Sequence, residues 1–132
     1  MAKNLVEIPE TVTEETTGNT YTVVAIGENA FAPAWNAAWE DMMSSRVKNI
    51  SIPKTVTTIG KNAFGNMSAL TTLTMENSVE SLGEMAFYFS SWSSSSKLES
   101  VTLSEKLKSL PKYCFRGCNS LEELTIPKSV EL

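Results

Sequence analysis

The 132-residue sequence predicts a solenoid, a coil of short repeats whose strands stack side by side in a parallel β-sheet. Two observations predict it. A motif ending in a small-then-aromatic pair recurs four times, at Ile26–Phe31, Ile59–Phe64, Leu82–Phe87 and Leu110–Phe115. A six-residue block follows each copy: Val47–Ile52, Leu70–Met75, Leu98–Leu103 and Leu121–Ile126, with apolar residues at the first, fourth and sixth positions every time. Self-similarity at a fixed period marks a repeat architecture, because each unit buries its apolar face only against a neighbour.

The chain opens with a departure from the repeat. Ile8-Pro9 and Val12 echo Ile52-Pro53 and Val56, but eleven extra residues precede Ile26. Gly18-Asn19, between Thr- and Val-containing runs, is a hairpin turn signal. Residues 5–26 are therefore predicted to form an N-terminal β-hairpin that caps the open edge of the first coil.

Within each block, apolar and polar residues alternate over the last positions, which reads as a half-buried strand. A second short extended stretch leads into Gly27, Gly60 and Gly83, each read as a tight bend. Short helices or turns are expected to return the chain to the next strand. Phe31, Phe64, Phe87 and Phe115 are expected to line up inside as an aromatic column.

The unit repeats every 23 residues where nothing is inserted, as from Val47 to Leu70 and from Leu98 to Leu121. Insertions near 32–46 and 88–97 both fall after the Ala-Phe pair, where loops grow on one face of a stack. All three tryptophans, Trp35, Trp39 and Trp92, sit in them. Residues 33–45 read as a short helix with Pro33 in its first turn, and Trp35, Trp39 and Met42 share one face. That stripe either packs on the flank of the solenoid or forms a Trp-rich interaction patch. Trp92 stands in a serine tract, either as an exposed contact point for protein or sugar or as the anchor of its own loop.

The last residues, Ser129-Val130-Glu131-Leu132, fall in mid-repeat. An uncovered apolar face and strand edge is expected there, which suits a fragment of a longer array or a self-associating one. The whole of 1–132 is expected to be one domain: a cap over 5–26, then about four repeats over 26–132.

Composition narrows the function. At 42% hydrophobic and 20% charged the chain is neither disordered nor membrane-like, and it opens without the apolar block of a signal peptide. A net charge of −4 opposes binding to a phosphate backbone. The sequence has no histidine, the commonest general base and metal ligand. Cys114 and Cys118 match no zinc or thioredoxin spacing; they align with the interior slots of Ala86 and Met67 and read as small buried hydrophobes. Whether they pair is left open. Glu40 and Asp41, like Glu122 and Glu123, are adjacent rather than convergent, and no catalytic constellation emerges. No enzyme activity, cofactor or metal is expected.

The fifth residue of each block is Ser51, Thr74, Thr102 and Thr125, four hydroxyls in register on the solvent face of the predicted sheet. Strand propensity and mutual hydroxyl contacts explain such a ladder, and so does ligand binding.

Ile52 to Phe64, with the block Leu70 to Met75 after it, resembles the BspA-type leucine-rich repeat, also called the Treponema pallidum type. The resemblance covers nearly the whole chain. It implies a right-handed leucine-rich-repeat solenoid with the parallel sheet on its concave face, found in bacterial and some protozoal surface or secreted proteins, several of them adhesins. Departures are the two insertions, Pro111 in place of Gly, and the Cys of the Ala-Phe-x-x-Cys element appearing only at Cys118.

The expected function is a non-enzymatic module that binds a protein partner through the concave sheet or the insertion face. Its candidate contacts are Ser51, Thr74, Thr102, Thr125, Trp35, Trp39 and Trp92. A cell-surface or secreted location is implied by the resemblance alone. A structural spacer, self-associating through the uncapped C-terminal end, and a carbohydrate-binding module are the competing readings. No nucleic-acid partner and no membrane insertion of this chain are expected.

Overall fold

Alternating apolar and polar residues form a strand only where a partner covers one face, and each six-residue block finds that partner in its own neighbours. The computed structural model describes residues 5–32, 47–90 and 96–131. The chain winds through four coils, 5–32, 47–66, 70–90 and 98–119, before starting the next strand.

The main sheet takes one strand from each turn of the winding. Its members are β1 (Leu5–Glu7), β5 (Asn49–Ile52), β7 (Thr72–Met75), β9 (Ser100–Thr102) and β10 (Glu123–Leu124), in that spatial order and all parallel. Ile50, Leu73 and Val101 stand in register and are buried. A second parallel sheet joins β4 (Ala25–Ile26), β6 (Thr58–Ile59) and β8 (Ser81–Leu82) and turns Ile26, Ile59 and Leu82 inward. This is the predicted second extended segment. It stops at β8 for a chemical reason. Gly60 N donates to Ile26 O and Gly83 N donates to Ile59 O, but Pro111, next in that column, has no N–H to give.

The phenylalanines stack as expected. Ring centroids lie 5.2, 5.7 and 5.2 Å apart from Phe31 through Phe64 and Phe87 to Phe115, with interplanar angles of 16°, 7° and 5°. Phe64 and Phe87 are buried, and the end members Phe31 and Phe115 are partly covered. Cys114 occupies the slot of Ala63 and Ala86, with its carbonyl accepting from Phe87 N as theirs accept from Phe31 N and Phe64 N.

The structure narrows three expectations. Where short helices or turns were expected it has turns: among the described residues no helix forms, because Asn29, Asn62, Met85 and Tyr113 sit at φ between 55° and 60°, a left-handed conformation that no right-handed helix can contain. The predicted helix over 33–45 lies outside the described residues.

The glycine column is not where the backbone turns left-handed; that falls two residues later. A Cβ on Gly60 would come within 2.7 Å of Glu28 N, and one on Gly83 would strike Lys61 N, so these glycines let one coil lie against the previous one. Gly27, in the first coil, meets nothing.

The hairpin spans less than residues 5–26. Only β2 (Thr11–Thr13) and β3 (Thr20–Thr22) pair antiparallel, while Leu5–Glu7 and Ala25–Ile26 join the two parallel sheets as the first coil. Apolar residues at Val6, Ile8, Val23 and Ile26 pack on the core like their counterparts in later coils, which draws the flanks into the stack. The hairpin is an excursion between Glu10 and Val23, whose backbones are joined by a 2.8 Å hydrogen bond.

Candidate interaction surfaces

A pleated strand turns every second side chain to the same face, so an apolar inner set at positions four and six forces positions three and five outward. The register puts Ser51 beside Thr74 and Thr74 beside Thr102, and Thr125 continues the column one residue past β10. Thr74, Thr102 and Thr125 are exposed and Ser51 is half-buried. The ladder read from the sequence is therefore a real alignment, and Glu7 extends it beside Ser51.

A second column runs beside it. Leu5, Asn49, Thr72, Ser100 and Glu123 are aligned across the same five strands, two residues before the first column. The sequence reading missed these residues, although the period-two rule that placed Ser51 outward places Asn49 outward too. Between their ends the columns form a surface of small hydroxyl and amide groups, bounded by Leu5 and Glu7 on one side and Glu123 on the other.

Mutual bonding does not use up these hydroxyls. Among the described residues, none of Ser51, Thr74, Thr102 and Thr125 bonds to a neighbouring side chain, whereas Thr13 and Thr20 in the hairpin meet hydroxyl to hydroxyl at 3.0 Å. Small polar groups on a rigid sheet lose little side-chain entropy when they bind.

Trp35, Trp39 and Trp92 lie outside the described residues. Both cysteines are free thiols: Cys114 is buried, and Cys118 donates to Phe87 O at 3.1 Å. Burial pushes the Cys114 thiol up to about 11, with a smaller contribution from the nearby Cys118, and burial also raises Cys118. Such thiols are poor nucleophiles near neutral pH. Among the described residues no cluster of His, Cys, Asp and Glu could hold a metal ion, and no helix is long and apolar enough to cross a membrane.

Sequence reasoning also passed over a corner of the fourth coil. Tyr113 is exposed at φ 60°, with Lys112 Nζ 4.9 Å and the Arg116 guanidinium 5.2 Å from its ring centre. Both contacts are in cation–π range.

A coil with one parallel strand per turn, an aromatic column and a polar outer sheet face defines a repeat scaffold. The family model for the BspA type leucine rich repeat region matches residues 42–132, in six copies. The chain belongs to that family. A solved leucine-rich cell surface protein of Faecalibacterium prausnitzii shares its fold, with a TM-score of 0.50 and 21% identity over 98% of this chain and 43% of that one. A leucine-rich repeat protein of Bacteroides ovatus aligns at a TM-score of 0.43 and 24% identity, covering 96% of this chain and 40% of the other. The chain thus spans less than half the length of either solved protein. No curated protein matches it.

Proposed function

We propose that this chain is a non-enzymatic, adhesin-like protein-interaction module of a bacterial surface or secreted protein, and that it binds through the outer face of the five-stranded sheet. One observation carries the reading: two aligned columns of small polar side chains, unspent on one another, stand on a sheet whose other face is sealed by Ile50, Leu73 and Val101. A rigid, pre-organised polar surface suits a protein partner, which supplies the many complementary donors and acceptors such a face needs. Glu7 and Glu123 stand at its two ends, so the partner surface carries Lys or Arg there. The surface location draws support from the family and from the described role of the F. prausnitzii protein as a cell surface protein.

Surface plasmon resonance of the immobilised chain against purified extracellular-matrix proteins, and in parallel against a panel of free glycans, tests this reading. Saturable, salt-sensitive binding of at least one protein is expected. Binding of glycans alone would replace it with a carbohydrate-binding role.

A further inference from the structure

Between its ends the outer face of the five-stranded sheet holds no ring and no long side chain. From β5 to β9 its two columns read Asn49, Thr72, Ser100 and Ser51, Thr74, Thr102, and the only charges in either column are Glu7 on β1 and Glu123 on β10. The face carries none of the Trp, Tyr and Arg side chains that supply most of the affinity between folded proteins. What it offers is hydrogen bonds. Among the described residues none of these six side chains bonds to another, whereas Thr71, one residue before the first column, donates its hydroxyl to Lys48 O at 3.0 Å.

Hydroxyl and amide donors need acceptors that are not already bonded. The backbone carbonyls of a helix or sheet are paired internally, but a polyproline II chain makes no internal hydrogen bonds and leaves its carbonyls open along its length. Spacing selects the same conformation. Strands lie roughly 4.8 Å apart, so every second strand recurs at roughly 9.6 Å, close to the roughly 9.3 Å of one three-residue turn of polyproline II. A helical turn of roughly 5.4 Å overshoots each strand by about 0.6 Å and falls out of step across the sheet. Grooves that read proline rings are lined with aromatics; this face has none and suits the backbone instead.

We infer that the sheet face takes an extended, polyproline II-type segment of the partner protein, lying across the strands between the two columns. This occupant presupposes that the sheet face is the binding surface, and the acidic ends set its chemistry. Glu7 and Glu123 are four strand spacings apart, roughly 19 Å, a distance that about six residues of polyproline II span at roughly 3.1 Å each. Two Lys or Arg residues about six positions apart therefore reach both carboxylates, while the residues between them present carbonyls to the Ser, Thr and Asn side chains.

Fluorescence anisotropy of two labelled proline peptides of identical composition tests the proposal, one with five prolines between its two lysines and the other with two. The first should bind the 132-residue chain saturably and about two- to fivefold more tightly than the second, the worth of one exposed ion pair. A Glu7→Gln, Glu123→Gln double variant with an unchanged circular dichroism spectrum should lose that preference. No binding of the first peptide, equal affinity for both, or a preference that survives in the double variant would overturn the proposal. At saturation the first peptide should also displace from the immobilised chain the matrix protein that it binds. Matrix-protein binding that a Ser51→Lys, Thr74→Lys, Thr102→Lys variant abolishes but the peptide does not displace would keep the sheet as the binding surface and overturn this occupant. Matrix-protein binding retained in the folded triple variant would overturn both.

Discussion

The side-chain amide of Asn62 donates to Oδ1 of Asn29 at 2.9 Å, across one coil spacing, and both residues hold left-handed backbone at φ 55° and 59°. Asparagine tolerates that conformation better than other side-bearing residues, so one choice satisfies the turn and links adjacent coils. The ladder ends there. Met85 and Tyr113 take the same backbone, at 57° and 60°, with side chains that neither favour it nor extend the amide bond.

Met85→Asn should therefore stabilise the protein, by about 0.5–1.5 kcal/mol, through a new inter-coil hydrogen bond and a better-suited left-handed residue. Urea denaturation would show a higher midpoint with an unchanged slope. A midpoint equal to or below wild type would mean that the amide ladder ties nothing together.

The aromatic column predicts a graded response. Phe64 is buried between two rings, so Phe64→Ala should cost about 3–5 kcal/mol, while Phe31→Ala, at the partly covered end, should cost distinctly less. Equal losses, or a Phe64 loss below about 1 kcal/mol, would contradict a stacked interior column.

Close approach of successive coils separates two glycines that look alike in sequence. Gly83→Ala drives a Cβ into the backbone at Gly60 and Lys61 and should destabilise by about 1–3 kcal/mol. Gly27→Ala meets open space and should change stability by less than about 0.5 kcal/mol. Thermal melts of the two variants side by side decide it, and matching losses would locate the glycine requirement elsewhere.

The buried thiol predicts a pH dependence of definite sign. Folding raises Cys114 from its ordinary value near 9 to about 11, so it favours the neutral thiol. The contribution to stability is fully present below pH 9 and is lost as pH rises toward 11, because the unfolded chain ionises first. Cys114→Ala restores the residue found in the other three coils and should unfold with a shallower loss of stability between pH 9 and 11. A wild-type protein no more alkali-sensitive than this variant would show that the thiol is not buried in solution.

Much of the fold was legible because its cause is periodic. The blocks around Ile50, Leu73 and Val101 bury the same positions in each coil, so a repeated pattern of apolar residues specifies both the strand and its register. What escaped the reading has no periodic signal. The left-handed turns depend on backbone geometry that Asn29 and Asn62 suggest but Met85 and Tyr113 disguise. The true extent of the hairpin depended on whether Val6, Ile8 and Val23 would be drawn into the stack, which only the packing decides. The hydroxyl ladder was half-read: Thr74 and Thr102 were found from position five, and their neighbours Thr72 and Ser100 followed from the same alternation but were not drawn. Lys112 and Arg116 looked like ordinary surface charge until the structure set both beside Tyr113.

The most direct test of the binding surface is the affinity of a Ser51→Lys, Thr74→Lys, Thr102→Lys variant for the matrix protein that binds the wild-type chain most tightly, measured by surface plasmon resonance. All three positions lie on one column of the outer face, so the substitutions leave the apolar core untouched, and an unchanged melting curve would verify the fold. Long cations on an acid-bordered face should abolish binding to a basic partner by steric bulk and repulsion. Affinity retained in the folded triple variant would contradict the account and move the site to the insertions that carry Trp35, Trp39 and Trp92.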